Sequence, residues 1–464
     1  MNDPSRQVFL PSSRTLLTWT IVPCLLAALT SCIATEPRQS NQASPTAFAA
    51  LAQDIASFRG LPLKRDIVLG RSASAGDPIA TQEPIALNQV ERAYKSIGLL
   101  ANNVDYAKAL SDFRRLAQLT PYDNASGRIA IAAEAEKLGA PFDMSDAILA
   151  REAPLGFAVM AALQEQSFNW QSRSEAIYLE DRRSAFRAIA TGDTALTLLA
   201  RGNRKTAQTF SPNDLSAAGK FSAELEQSAK NLPDFLRQQL IFPYREGSQF
   251  TLWALRSKGW PGVDALYADP PLSTAEILHP EKYFIKRQAP RQIFPAALLR
   301  AMKDGPAVEQ TLGELLIRTL LANANPLKQA SDNAARWRAD QLFAFAEGEN
   351  LITVWFSEWE SPADAGAFQT GYRAVLEKLP RIRFDDRKGP TTSVMSGRTR
   401  DNRGVWLQVK GSVVVFISGV ALEGLSSFAE TAWQDLEIEA DDSALRFDSA
   451  GRQRFGDQLS LNSK

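Results

Sequence analysis

Beyond residue 32 the chain contains no cysteine, and in all 464 residues it contains one histidine, His279. The missing cysteines exclude an internal disulfide, a thiolate metal site and a cysteine nucleophile from the body of the protein. The scarcity of histidine excludes zinc sites built on two or three imidazoles, and it leaves His279 as the sole candidate for a catalytic triad or proton shuttle. Excess charge of either sign is lacking too. Lys+Arg and Asp+Glu number 52 each, so no basic field points to nucleic acid. No Gly-x-Ser-x-Gly elbow marks a serine hydrolase, and no repeat of fixed period stands out.

What is present is an ordinary globular balance, 45% apolar and 22% charged, in a chain long enough for about two to three domains. Such a body buries a core without metals or disulfides to staple it. The first 31 residues have the three parts of a secretory leader. Arg6 and Arg14 supply the positive end, and Leu16 to Leu29 form an apolar run broken by Pro23. That run is too short to span about 30 Å of hydrocarbon comfortably. Leu29-Thr30-Ser31-Cys32 resembles the bacterial lipobox, which implies cleavage before Cys32 and acylation of its thiol, as in palmitate-bearing lipoproteins. Each buried CH₂ adds about 0.8 kcal/mol of membrane affinity, so two or three chains anchor firmly. Residues 32–46 then read as the lipidated cysteine and a flexible polar tether. Ile33, rather than Asp, after the cysteine points to the outer membrane, facing the periplasm or the cell surface.

Helical periodicity dominates to about residue 325, clearest over 47–58, 88–98, 105–117, 155–168, 183–201, 213–228, 248–257 and 307–322. Prolines punctuate 231–295 as a loop-rich stretch. Residues 128–132 suggest a short strand after the turn at 122–127. From about 335 the pattern changes. Leu342–Ala346 and Leu351–Phe356 flank a Glu347–Asn350 hairpin turn, and a helix over 361–379 opens with Pro362. Strands over 405–410 and 413–417 and a helix over 421–435 follow. The expected class is α+β: a mainly helical domain over 47–330 and a smaller antiparallel, split-βαβ-like domain over 331–436. Residues 437–464 form a polar tail expected to fray.

Several segments in order resemble an exported bacterial family of zinc metallopeptidases of the gluzincin type, over roughly residues 47–420. They are Phe58-Arg-Gly-Leu-Pro-Leu-Lys-Arg-Asp-Ile67, Glu91-Arg-Ala-Tyr-Lys-Ser-Ile-Gly-Leu-Leu100 and Pro121-Tyr-Asp-Asn-Ala-Ser-Gly-Arg128. Phe242-Pro-Tyr-Arg-Glu-Gly247, Pro270 to Tyr283, and Trp359 with Ala363 to Phe368 come next. The resemblance implies a zincin-like helical fold. It also implies a His-Glu-x-x-His helix, whose i and i+4 imidazoles share one face and one Zn²⁺, and a later Glu-Gly-Asp that gives the third ligand. This chain has Gly156-Phe-Ala-Val-Met-Ala-Ala-Leu-Gln-Glu-Gln-Ser-Phe168 there, with the register fixed by Ala162 to Phe168. Phe157 and Ala161 stand at the imidazole positions and Ala158 at the general base. In Ala190-Thr-Gly-Asp193, Thr191 stands at the glutamate ligand. A catalytic zinc needs three protein ligands and an open position, so neither a metal nor another cofactor is expected. The Phe157 ring is expected to fill the emptied cavity.

The remaining candidates have plain explanations beside the chemical ones. His279 reads as a loop residue before a turn. Glu152, Glu165, Glu180, Asp181 and Asp193 surround the altered site, and solvated faces or helix caps account for them better than catalysis or Ca²⁺ binding. Trp337-Arg-Ala-Asp340 replaces a Trp-Gly-Gly-Asp of the resembled family and alters whatever turn the glycines allowed. Trp337, Phe343, Phe345, Trp355, Phe356 and Trp359 read as hairpin core. The expectation is a membrane-anchored pseudo-peptidase, a binding or structural module with a peptide or protein partner in the inherited cleft. The alternative is a hydrolase using carboxylates there without zinc.

Overall fold

The computed structural model describes residues 45–69, 84–117, 122–123, 126–129, 147–385 and 393–440, all within one compact unit, Ser44–Lys464. The expected leader, Cys32 and most of the tether lie outside these residues, as does the tail beyond 440. The class is α+β. Helices α1 (Pro45–Arg59), α2 (Pro84–Ile97) and α3 (Tyr106–Ala117) come first, with three two-residue strands: β1 (Val68–Leu69), β2 (Tyr122–Asp123) and β3 (Arg128–Ile129). Then come α4 (Ala147–Phe168), α5 (Trp170–Ala176) and α6 (Glu180–Gly202). Helices α7 (Ser216–Ser228) and α8 (Asp234–Phe242) lead into a π-helical segment, Pro243–Gly247. It continues as α9 (Ser248–Lys258), α10 (Trp260–Ala268), α11 (Thr274–Leu278) and α12 (Glu281–Phe284).

Strand β4 (Arg291–Pro295) and helix α13 (Ala296–Ala301) lead to the sheet region. It consists of β5 (Val308–Gln310), α14 (Gly313–Ala322), α15 (Leu327–Ala334), β6 (Trp337–Glu347), β7 (Asn350–Trp359) and α16 (Pro362–Glu377). After them come β8 (Ile382–Phe384), β9 (Val394–Thr399), β10 (Arg403–Lys410), β11 (Val413–Ala421), α17 (Leu425–Trp433) and β12 (Leu436–Ala440). Seven strands form one sheet in the order β5-β6-β7-β11-β10-β9-β8, every neighbouring pair antiparallel. Helix α16 carries the chain from β7 to β8 at the far edge, and β9, β10 and β11 return as a meander. Ser361 caps α16 by accepting from the Asp364 amide at 3.2 Å, with Pro362 at the first helical position.

Strand alternation gives the sheet two apolar faces. Trp355, Val414 and Phe416 face the helical body and α16. Val354, Phe356, Val415 and Ile417 join a second cluster with Leu298 of α13 and Leu425 and Ala429 of α17. The first cluster runs from Phe48 through the helices to Phe416. The change of character near 330 is thus a change of architecture inside a continuous core. All six hairpin aromatics named from sequence are buried.

Several boundaries differ from the sequence expectation. Residues 308–310 are strand, and the helix expected over 307–322 starts at Gly313, where φ of +67° breaks the helical path. The stretch 231–295 is mostly helical rather than loop-rich. Pro233 lies before α8 and Pro261 in the first turn of α10, Pro243 opens the π-helical segment within a continuous helical run, and Pro270 and Pro271 keep a short connection between α10 and α11. Residues 437–440 do not fray, because β12 pairs antiparallel with β4. The Trp337–Asp340 segment is the bulged start of β6 rather than a turn.

Candidate functional site

Helix α4 is apolar nearly all round, so it lies buried among its neighbours. It packs antiparallel on α6. Gln164 Nε2 donates to the Ala190 carbonyl at 2.8 Å and to Thr194 Oγ1 at 3.1 Å, while Gly156 lies against Leu198. With residues 156, 160 and 164 of α4 on the seam with 190, 194 and 198 of α6, helical geometry puts Phe157, Ala161 and Thr191 on one flank of it. Burial agrees. Between 156 and 166 only Phe157 and Ala161 are not buried, and between 184 and 200 only Arg187 and Thr191 are not. Ala158 is wholly buried. Three of the four altered positions thus form a half-buried stripe along an otherwise closed helix pair.

The π-helical segment forms the next wall. Gly192 and Gly247 bring it onto α6: a Cβ on Gly192 would stand 2.5 Å from the Gly247 carbonyl oxygen, so neither position has room for a side chain. Tyr244 is thereby held beside Phe157. Its ring lies 6.2 Å from Phe157 and 5.1 Å from Phe221, with Phe157 and Phe221 6.4 Å apart. Burial pushes the Tyr244 phenol up to about 12. Trp170 Nε1 donates to the Ala161 carbonyl at 3.3 Å, setting an indole beside the second altered position. Phe157 packs into this aromatic group rather than standing in solvent.

Three of the carboxylates are not solvated faces, while Glu165 and Asp181 do accept amides in the first turn of a helix, α5 and α11 respectively. Glu165, Asp181 and Asp193 are all buried. Glu165 accepts from the Gln171 amide at 2.7 Å and from Ser172 Oγ at 2.7 Å. Asp193 lies inside α6 rather than at its start. It accepts from Arg59 Nε at 2.6 Å, Tyr267 Oη at 2.9 Å and Gln164 Nε2 at 3.3 Å. Burial works against the Arg59 charge, but Asp193 and Asp264 more than offset it and hold the guanidinium above its ordinary value. Asp181 accepts from the Thr274 hydroxyl and amide. Burial, reinforced by Asp340 and Glu314, holds its carboxyl well above the usual range. Glu180 pairs with Arg183 and accepts from Gln239 at 3.1 Å. Of Glu152 the position alone is described, in the first turns of α4.

His279 caps the end of α11, and its Nε2 lies 2.8 Å from Glu314 Oε1, whose partner oxygen is buried without a hydrogen bond among the described residues. Nothing places it beside Phe157 or Thr191. Two parts of this region escaped the sequence reading. One is the Arg59–Asp193 pair, although both residues stood in segments quoted for the resemblance. The other is Arg187, one helical turn before Thr191 and on the same face.

The side chains on the groove do not fit a zinc ion. A ring, a methyl group and one hydroxyl give no set of three strong ligands. Among the described residues no three of His, Cys, Asp and Glu are grouped to hold a metal. Comparison with known families gives one match: a family model described as a domain of unknown function (DUF8575) covers residues 300–429. That stretch runs from the end of α13 into α17 and leaves the groove outside it. No curated protein and no solved structure matches the chain.

Proposed function

We propose that the protein is a non-catalytic, peptidase-like binding module held at a membrane by lipid on Cys32, and that the α4–α6 groove takes a peptide or protein partner. The observation that carries this reading is the chemistry of the half-open stripe. Phe157, Ala161, Thr191, Tyr244 and Trp170 offer apolar and aromatic surface with a few hydroxyls, the make-up of a recognition groove. The rival, hydrolysis by carboxylates, draws little support. Glu165, Asp181 and Asp193 are each committed to donors of the protein itself.

The test uses the purified body without its leader, mixed with a tryptic digest of casein and passed over a sizing column. Retention of intact peptides, abolished by Ala161→Trp, supports the reading. New cleavage products, or one equivalent of tightly held zinc, overturn it. The anchor is tested separately in cells: Cys32→Ser is expected to release the protein from the membrane fraction, and unchanged membrane association would refute that part.

A further inference from the structure

Trp253 is the one exposed aromatic side chain among the described residues, at 45%, and Ile285 is the most exposed of their large apolar ones, at 74%. The two come from neighbouring helices. Phe250, on the buried side of α9, packs 5.0 Å from Phe284 and 5.3 Å from Tyr283 of α12, which fixes the short helix on the long one. Phe284 in turn stacks on Trp253, with ring centroids 5.9 Å apart and planes 9° from parallel. Ile285 follows directly at the end of α12. Trp253, Phe284 and Ile285 thus form an apolar patch at the surface.

The charge around this patch has one sign. Residues 247–263 and 282–303 carry Lys and Arg but no Asp or Glu, in a chain whose charges balance at 52 each. Arg256 lies one turn after Trp253 on α9, Lys258 closes that helix, and Lys286 follows Ile285. All three are exposed, and none makes a side-chain hydrogen bond or ion pair among the described residues. The neighbouring carboxylates are engaged elsewhere: Asp269 and Glu276 hold Arg287, and Glu246 holds Arg245. Glu281, 3.7 Å from His279, is the acid of α12 itself.

An exposed indole and a branched apolar side chain beside unpaired cations meet both demands of a bilayer interface. Tryptophan favours the headgroup level, where its ring meets acyl chains and its N–H meets water. Each Lys or Arg close to anionic headgroups strengthens binding about fivefold. Lipid on Cys32 would keep such a face near a membrane, so that a weak contact is made at high local concentration. An acidic protein partner has no such advantage.

We infer that the Trp253–Phe284–Ile285 patch, with Arg256, Lys258 and Lys286 around it, is the face that the protein lays on a bilayer carrying anionic headgroups. The choice of a bilayer as occupant rests on the reading of the protein as membrane-held. The contact itself involves neither the acyl chain nor the α4–α6 stripe.

The test uses protein without its leader and with Cys32→Ser, so that no acyl chain contributes. It is sedimented with vesicles of phosphatidylcholine alone, or of phosphatidylcholine and phosphatidylglycerol in equal parts. Binding to the mixed vesicles is expected at about 0.05 M salt and is expected to fall at least about tenfold at about 0.5 M. Pure phosphatidylcholine is expected to bind at least about tenfold more weakly than the mixture. Arg256→Gln with Lys286→Gln is expected to weaken binding to the mixed vesicles at least about tenfold, and Trp253→Gln with Ile285→Gln at least about fivefold. These side chains are exposed, so a Tm within about 3 °C of the parent checks that each variant folds. Should the apolar pair fail to fold, Ile285→Gln alone and the charge pair carry the test. In cells the patch alone binds weakly at the prevailing ionic strength, so Cys32→Ser still releases the protein there. No binding to mixed vesicles overturns the inference and leaves the Cys32 anchor standing. Binding that neither pair of substitutions weakens also overturns it, because another face would then be responsible. Salt-sensitive capture of polyglutamate without capture of vesicles overturns it too, and assigns the patch to an acidic protein.

Discussion

Arg59 and Asp193, 134 residues apart in sequence, meet at 2.6 Å with both side chains wholly removed from solvent. The pair ties α1 to the middle of α6. Trp260 stacks on the guanidinium at 4.7 Å, and Asp264 shares it at 2.6 Å. Removing Arg59 leaves the Asp193 charge buried without a counter-ion, at a cost of about 3–5 kcal/mol, whereas removing Asp193 still leaves Arg59 paired with Asp264. Arg59→Met is therefore expected to lose that much in urea denaturation followed by tryptophan fluorescence, and Asp193→Asn to lose less. Arg59→Met with Asp193→Leu is expected to lose less than the sum of the two single variants. An Arg59→Met protein within about 1 kcal/mol of wild type would show that the pair contributes no more than a surface bridge.

Gly313 and Asp181 form a second long-range relation. Gly313 has φ of +67°, and a Cβ there would stand 1.8 Å from Asp181 Oδ1. Gly313→Ala thus meets a steric clash as well as the left-handed backbone cost of about 1 kcal/mol. A loss of about 3 kcal/mol or more is expected. Combining it with Asp181→Ala is expected to restore part of that stability by clearing the space. A double variant less stable than Gly313→Ala alone would contradict this account.

Much of the fold was legible where side-chain period and environment agree. The alternation through β6, β7 and β11 showed the strands, and Ser361-Pro362 showed where α16 begins. Local signals misled where tertiary packing decides. The prolines of 231–295 look like loop markers, yet Pro233 and Pro261 sit where a helix needs no amide donor, and Pro243, inside a continuous helical run, coincides with its π-helical segment. The short strand 308–310 carries too few residues for a period to emerge, and only pairing with β6 defines it. Phe157, Ala161 and Thr191, singled out through the resemblance, lie on one flank of the α4–α6 seam by helical geometry. Burial of Asp181 and Asp193 was not legible in the sequence, because their donors lie far away in sequence, on α10 and α11 and at Arg59.

The proposed loss of a metal site can be tested by gain. Phe157→His, Ala161→His and Thr191→Glu would put back the ligand set that the resemblance implies, on three positions that flank one seam, and Ala158→Glu its general base. The quadruple variant is expected to take up one equivalent of zinc, measured by atomic absorption after dialysis. Its Tm is expected to rise with added zinc, since ligand at 1,000 times its Kd stabilises the folded state by about 4 kcal/mol. A folded variant that takes up no zinc would mean that these four positions never formed one site.

Glu309, on the edge strand β5, gives a pH dependence with a definite sign. Burial pushes its carboxyl up to about 7, against one polar contact, from Gln341 Nε2 at 3.2 Å. The folded state therefore prefers the protonated acid, whereas the unfolded chain titrates near the ordinary value of about 4.3. Stability from this group is complete below the unfolded value and is lost as pH rises through about 7. Glu309→Gln keeps the shape and removes the ionisation. The variant and wild type are expected to unfold at the same urea concentration near pH 4.5. At pH 8 the variant is expected to be more stable by about 1–2 kcal/mol, a figure reduced for the partial solvent exposure of the site. A constant difference between the two proteins across that range would mean that Glu309 is ionised in the folded state throughout, with its charge met by solvent rather than opposed by burial.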